Sequence, residues 1–120
     1  MAPALGTIHG IVEGKPRAER LRLDLISQLK EALPEGVALV LHGGSGVAED
    51  QIKSAIAKGI SNIHISTELR IAYRAALESS LKKYEDEVAP YVYLESARNA
   101  VRELALQKLR IFGASGRVKA

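Results

Sequence analysis

The sequence predicts an α/β fold with about three parallel strands, each followed by helix. Three observations carry that expectation. Apolar runs of strand length alternate with longer segments of helical spacing, the pattern of βα units. One run, Val37-Ala38-Leu39-Val40-Leu41, contains no polar residue, as a strand covered on both faces of a parallel sheet requires. Glycines, histidines and hydroxyl residues gather where the apolar runs stop, and in a parallel sheet those carboxyl ends share one edge.

The first strand is expected over residues 2–9, with Leu5, Thr7 and Ile8, and it ends in Gly10. A helix follows, because Leu21, Leu25, Leu29 and Leu33 recur at steps of four among Lys and Arg, and Pro34 and Gly36 stop it. Pro16 suits the first turn of that helix. The second strand is residues 37–41, stopping at His42. After Gly43-Gly44-Ser45-Gly46, the acidic Glu49 and Asp50 stand where a helix start favours negative charge; Ile52, Ala55 and Ile56 form its inner stripe, and Gly59 is its expected C′ residue. Ile60, Ile63 and Ile65 make the third strand, which ends at Ser66-Thr67. A helix over residues 68–84 carries Leu69, Ala72, Tyr73, Ala76, Leu77 and Leu81 on one side. Residues 85–93, with Pro90, read as a loop, and a last helix over 94–110 presents Ala97, Val101, Leu104 and Leu109.

Composition narrows the function. At 120 residues, 47% hydrophobic and 26% charged, the chain has the balance of one small globular domain. Its longest wholly apolar run falls far short of the roughly 20 residues that span a bilayer, and no charged-then-apolar signal segment follows Met1, so the expected location is the cytoplasm. The absence of Cys excludes disulfides, thiolate catalysis and Cys-bound zinc. A net charge of +3, scattered along the chain, does not point to nucleic acid. Phosphorylated small molecules remain compatible.

All three histidines stand at the expected strand ends. His9 and His42 read either as a metal pair, since neutral imidazoles suit Zn²⁺, or as rings satisfied by loop backbone. Gly43-Gly44-Ser45-Gly46 reads either as an anion cradle, whose glycines let backbone N–H groups approach an oxygen closely, or as a plain βα turn. It is neither a Walker loop nor a GxGxxG loop. His42-Gly43-Gly44 is not an esterase oxyanion loop either, because the chain lacks the G-x-S-x-G nucleophile elbow. Ser66 and Thr67 can place hydroxyls on the same anion, and Thr67 can also cap the following helix.

Taken together, Leu5-Gly6-Thr7-Ile8-His9-Gly10, Leu39-Val40-Leu41-His42-Gly43-Gly44-Ser45-Gly46, Ile63-His64-Ile65-Ser66-Thr67-Glu68-Leu69 and Leu109-Arg110-Ile111-Phe112-Gly113 form a specific pattern. It resembles the carboxyl-terminal half of class II, zinc-dependent fructose-bisphosphate and tagatose-bisphosphate aldolases. The resemblance implies that residues 1–120 are part of a (β/α)₈ TIM barrel, strands six to eight with the terminal helices. It implies His9 and His42 as zinc ligands. Gly10, Gly43, Gly44 and Ser45 would hold the phosphate of dihydroxyacetone phosphate, completed by Ser66 and Thr67, and a monovalent cation would sit near the glycines.

His64 departs from the family, which has Asn there in contact with the substrate. The resemblance therefore makes His64 a substrate contact rather than a replacement ligand. Some members send an Arg from the last helix into a neighbouring subunit's site; Lys108 is the best-placed residue here, with Arg110 close by. The implied reaction is reversible cleavage of a ketose bisphosphate to dihydroxyacetone phosphate and an aldehyde phosphate, with zinc polarising the ketone. A further zinc His and an acid/base Asp come, in the family, from the amino-terminal half of the barrel. The chain is then expected to be one of two things. It is a split aldolase, inactive alone, that works as a homo-oligomer or with a complementing amino-terminal half; or it is a non-catalytic half-barrel that binds phosphate or assembles through its edges.

Overall fold

The computed structural model describes residues 1–7, 11–12, 15–16 and 20–117. In chain order its elements are β1 (Ile11–Val12), β2 (Lys15–Pro16), α1 (Leu23–Ala32), β3 (Leu39–Leu41), α2 (Glu49–Ala57), β4 (Ile60–Ile63), α3 (Thr67–Lys83), α4 (Pro90–Tyr93) and α5 (Glu95–Ile111). The class is α/β, as expected. The chain divides into two compact units, Met1–Thr67 and Glu68–Ala120.

The first unit is built on β3 and β4, which pair in parallel. Leu39 and Leu41 are buried and pack with Leu5, Leu21, Ile26, Val47, Ile52, Ala55 and Ile60 as the core of this unit. Its two helices bury one stripe each: Ile26 on α1, Ile52 and Ala55 on α2. The Gln51 side chain accepts the Leu21 N–H at 2.7 Å, tying α2 to the start of α1. Gly59 does follow α2 as its C′ residue, with φ +114°. A Cβ there would stand 3.2 Å from the flexible Lys30 side chain, which can shift, so it is the positive φ that calls for glycine.

The expected first strand differs. Over residues 1–7 no strand forms, and among the described residues the parallel sheet has two strands rather than about three. The segment still runs beside β3, where the Val40 N–H donates to Met1 O at 2.8 Å. Pro3 has no N–H to offer a ladder, and Gly6 turns out of the extended region at φ +88°. The remainder of that expected strand, Ile8 and His9, lies outside the described residues, as does Gly10.

Pro16 sits in β2 rather than in a helix. Its strand pairs antiparallel with β1, in the register Ile11↔Pro16 and Val12↔Lys15. Only Glu13-Gly14 separates the two strands, a hairpin spacing that the leucine periodicity further along obscured. The helix therefore begins at Leu23.

In the second unit α3 and α5 match the expected helices to within a residue or two. Residues 90–93 form a helical turn instead of loop, with Pro90 at its first position, where a missing N–H costs nothing. Ala97 is fully buried, but Tyr73, Leu81 and Leu109, expected on inner faces, are exposed by 40, 46 and 47%. Lys108 on α5 forms an ion pair with Glu68 on α3, both side chains more than four-fifths buried. The ammonium expected to reach a neighbouring subunit is thus held by a contact within its own chain.

Candidate functional site

The carboxyl ends of β3 and β4 bring His42, the glycine loop and residues 64–67 together. Their alignment depends on one irregularity. Leu39 pairs with Ile60, but Val40 pairs with Asn62 and Leu41 with Ile63, so Ser61 is an extra residue between successive partners. Its hydroxyl donates to Leu39 O at 3.3 Å, which holds the bulge in place. A bulge advances the register by one residue, and a one-residue shift reverses which side chains face one another. Beyond it, the offset between partners equals the spacing of His42 and His64.

Past the assigned strands the first bond keeps this offset and the second comes from one residue further along the glycine loop. His64 N–H donates to Leu41 O at 2.9 Å, and Gly44 N–H to His64 O at 3.2 Å. The two imidazoles consequently stand side by side, with ring centroids 4.4 Å apart, planes at 87° and Nδ1 atoms 3.2 Å apart. Both histidines are exposed. The Thr7 hydroxyl donates to His42 O at 2.7 Å and anchors the first segment to the end of β3. Sequence reasoning counted Thr7 among the polar strand-end residues without finding this role.

The glycine loop is buried: Gly43, Gly44 and Ser45 are all enclosed. Gly44 is pressed against the end of β4, where a Cβ would stand 2.8 Å from Ile63 Cγ2, 3.1 Å from Ile65 Cδ1 and 3.3 Å from His64 O. Gly43 and Gly46 have positive φ of 65° and 80°, so the loop takes a path that glycine follows without strain. The loop is thus required by packing as well as suited to an anion.

Two backbone donors at this edge are already engaged inside the protein. Gly44 N–H bonds His64 O, and Ser66 N–H donates to Ser45 Oγ at 3.2 Å. A hydroxyl that accepts still has its own hydrogen to donate, so Ser45 can reach an oxygen while holding the two loops together. Ser66 keeps its exposed hydroxyl, and Thr67 opens α3. Of the residues expected to form the site, the structure brings together His42, Gly43, Gly44, Ser45, His64, Ser66 and Thr67; His9 and Gly10 lie outside the described residues.

The donor chemistry fits zinc in part. Two reachable imidazoles converge at one strand edge, and nitrogen is a normal zinc donor. Among the described residues, no group of three or more His, Cys, Asp or Glu is placed to hold a metal ion. No helix among those residues is long and apolar enough to cross a membrane.

Comparison with known proteins places the chain in a family. The family model described as fructose-bisphosphate aldolase class-II matches residues 1–117. A fructose-bisphosphate aldolase of Geobacillus stearothermophilus is 36% identical over 117 residues, which is 98% of this chain and 39% of that protein. One from Staphylococcus epidermidis is 37% identical over 119 residues. The crystal structure of the YdjI aldolase from Escherichia coli K12 superposes with a TM-score of 0.65 at 34% identity, covering 82% of this chain and 36% of that one. The fructose-bisphosphate aldolase of Campylobacter jejuni shares the fold, with a TM-score of 0.71 at 20% identity and 93% of this chain covered. The chain spans about 39% of the length of the curated relatives it matches. On its glycine loop, its strand-end histidines and a match along nearly its whole length, the chain belongs to the class II fructose-bisphosphate aldolase family.

Proposed function

We propose that this chain supplies the phosphate-binding and half of the metal-binding machinery of a class II aldolase, which cleaves a ketose bisphosphate reversibly to dihydroxyacetone phosphate and an aldehyde phosphate. In this reading residues 1–120 are strands six to eight of a TIM barrel with its terminal helices. The observation that carries it is the convergence of His42, the buried Gly43-Gly44-Ser45 loop and residues 64–67 at one parallel strand edge. In such barrels the loops after strands seven and eight form the usual phosphate site.

The chain's own residues would act by position. Gly43 would let the loop backbone approach a phosphate oxygen, Gly44 would seat the loop against the end of β4, Ser45 would donate its hydroxyl hydrogen to the phosphate, and the Ser66 and Thr67 hydroxyls would complete the pocket with Gly10. A phosphate gripped there fixes the rest of a small ketose relative to His42, which lowers the entropy cost of reaching a reactive geometry. His9 and His42 would hold the zinc ion, and a monovalent cation would sit by the glycines. When bound, zinc supplies Lewis acidity toward the substrate ketone. Fructose and tagatose bisphosphates are both candidate substrates, and a cytoplasmic location suits them.

The 120-residue chain is expected to show no turnover alone, because the family's remaining zinc His and acid/base Asp lie in the other half of the barrel. The test is a coupled assay of fructose and tagatose bisphosphate cleavage with zinc. It is run on this chain alone and after mixing with the amino-terminal half of a family member. Turnover only in the mixture supports the proposal; robust cleavage by the chain alone overturns its inactive half. No turnover in the mixture, with zinc-independent affinity for dihydroxyacetone phosphate retained, replaces it with the non-catalytic half-barrel.

A further inference from the structure

We propose that His64 is a metal ligand, forming with His42 a bis-imidazole site for a borderline divalent transition-metal ion, zinc first among them. This rests on the reading of His42 as a ligand and gives His64 a role that neither the family resemblance nor the comparisons assign.

The Nδ1 atoms of His42 and His64 are 3.2 Å apart. Two nitrogens bound to one tetrahedral zinc, each at about 2.0–2.1 Å, stand roughly 3.3–3.4 Å from one another. The pair therefore already has close to the separation that sharing an ion demands. Backbone geometry enforces it: the Ser61 bulge sets the register, and His64 is tied to the β3 end through both its N–H and its carbonyl. Both rings are exposed, so an ion and its remaining ligands can arrive without displacing the core.

Without metal the same separation accommodates an imidazole-to-imidazole hydrogen bond, in which one ring carries its proton on Nδ1 and the other on Nε2. In the metal complex each Nδ1 would present its lone pair to the ion, and each neutral ring would carry its proton on Nε2. A family Asn at this position offers an amide, which is a poor zinc donor, whereas imidazole is a good one.

Zinc affinity of the whole chain, measured by competition with a chromophoric chelator, tests the proposal on wild type, His64→Asn, His64→Gln and His42→Asn. Circular dichroism verifies that each variant folds. Outer partners of zinc ligands are typically worth roughly 10- to 100-fold in affinity. Loss of a direct ligand is therefore expected to weaken binding by about 100-fold or more in both His64 variants and in His42→Asn. In the Co²⁺-loaded wild type, the visible bands of a tetrahedral site are expected, and they should fade in the His64 variants. A zinc titration of the wild type followed by NMR should move the imidazole resonances of both residues, which covers the case of a variant that fails to fold. If the His64 variants bind like wild type while His42→Asn loses the metal, or if only His42 resonances move, the proposal falls and the reading of His42 stands. If no variant differs from wild type, both fall.

Discussion

Gly44 illustrates how packing alone can require a missing side chain. A Cβ would stand 2.8 Å from Ile63 Cγ2, on a stiff β-branched side chain, and 3.3 Å from the fixed carbonyl of His64, so only the contact with Ile65 Cδ1 at 3.1 Å falls at a movable chain end. Gly44→Ala is expected to destabilise the chain by about 1–3 kcal/mol through overpacking, read as a lower urea midpoint at unchanged slope. The opposite sign is expected at Ser80 on α3. Its side chain is 4% exposed, and among the described residues its hydroxyl has no hydrogen-bond partner, beside an open cavity of about 490 Å³ lined also by Ser79, Lys83, Tyr84 and Asn99. Ser80→Ala removes an unsatisfied polar group and adds helix propensity, so stability should rise by roughly 0.5–1 kcal/mol, measured by thermal or urea unfolding. A fall would mean that the hydroxyl is satisfied in solution.

At the scale of elements, the ends of helices carry the electrostatics. Asp24 in the first turn of α1 accepts two hydrogen bonds from the Arg22 guanidinium, at 3.0 and 2.8 Å. Those bonds, against a smaller opposing effect of desolvation, lower its pKa from 3.8 to about 2. A carboxyl whose folded pKa is depressed contributes stability above its unfolded pKa and loses it as pH falls through the folded one. The contribution of Asp24 should thus be complete above about pH 3.8 and vanish toward about pH 2. Thermal unfolding of Asp24→Asn should show a shallower slope than wild type across that window and the same slope at neutral pH. The Lys108–Glu68 pair bridges α5 and α3 with 18 and 17% exposure. Exposed pairs are worth about 0–1 kcal/mol, and breaking buried ones costs about 3–5, so Lys108→Ala should cost about 1–3 kcal/mol by denaturant unfolding. Lys108→Arg should recover most of it.

Across the whole molecule, a ligand that binds only the folded chain stabilises it by mass action. Zinc at a hundred times its dissociation constant should add about 2.7 kcal/mol, visible as a raised Tm that a chelator reverses. Phosphate should raise the Tm independently if the Gly43-Gly44-Ser45 loop binds it without metal, and an unchanged Tm with both additives would count against the site as proposed.

Much of the site was legible in the sequence because the chemistry is local. The apolar run Val37-Ala38-Leu39-Val40-Leu41 marks a strand, of which Leu39–Leu41 form β3 with Leu39 and Leu41 buried. Ala38 is exposed and Val40 only half-buried, so one face is less covered than expected. His42 with three glycines and a serine marks the loop at its end. The helices were legible for the same reason, since a period near four is written in neighbouring residues. The first strand was misjudged because its apolar content outweighed Pro3 and Gly6, which control backbone pairing. The β1–β2 pair was missed because two-residue strands leave almost no periodicity.

The sequence by itself determined the α/β class, the order of strand, glycine loop and helix, and the family. Those depend on propensity and residue type at short range. Only the tertiary structure decided that His42 and His64 meet. Their meeting depends on an extra residue at Ser61, and a register shift is a property of two paired strands that neither strand's pattern records. It also decided that Gly44 and Ser66 spend their N–H groups on holding the loops together, because hydrogen-bond partners are chosen by proximity in space.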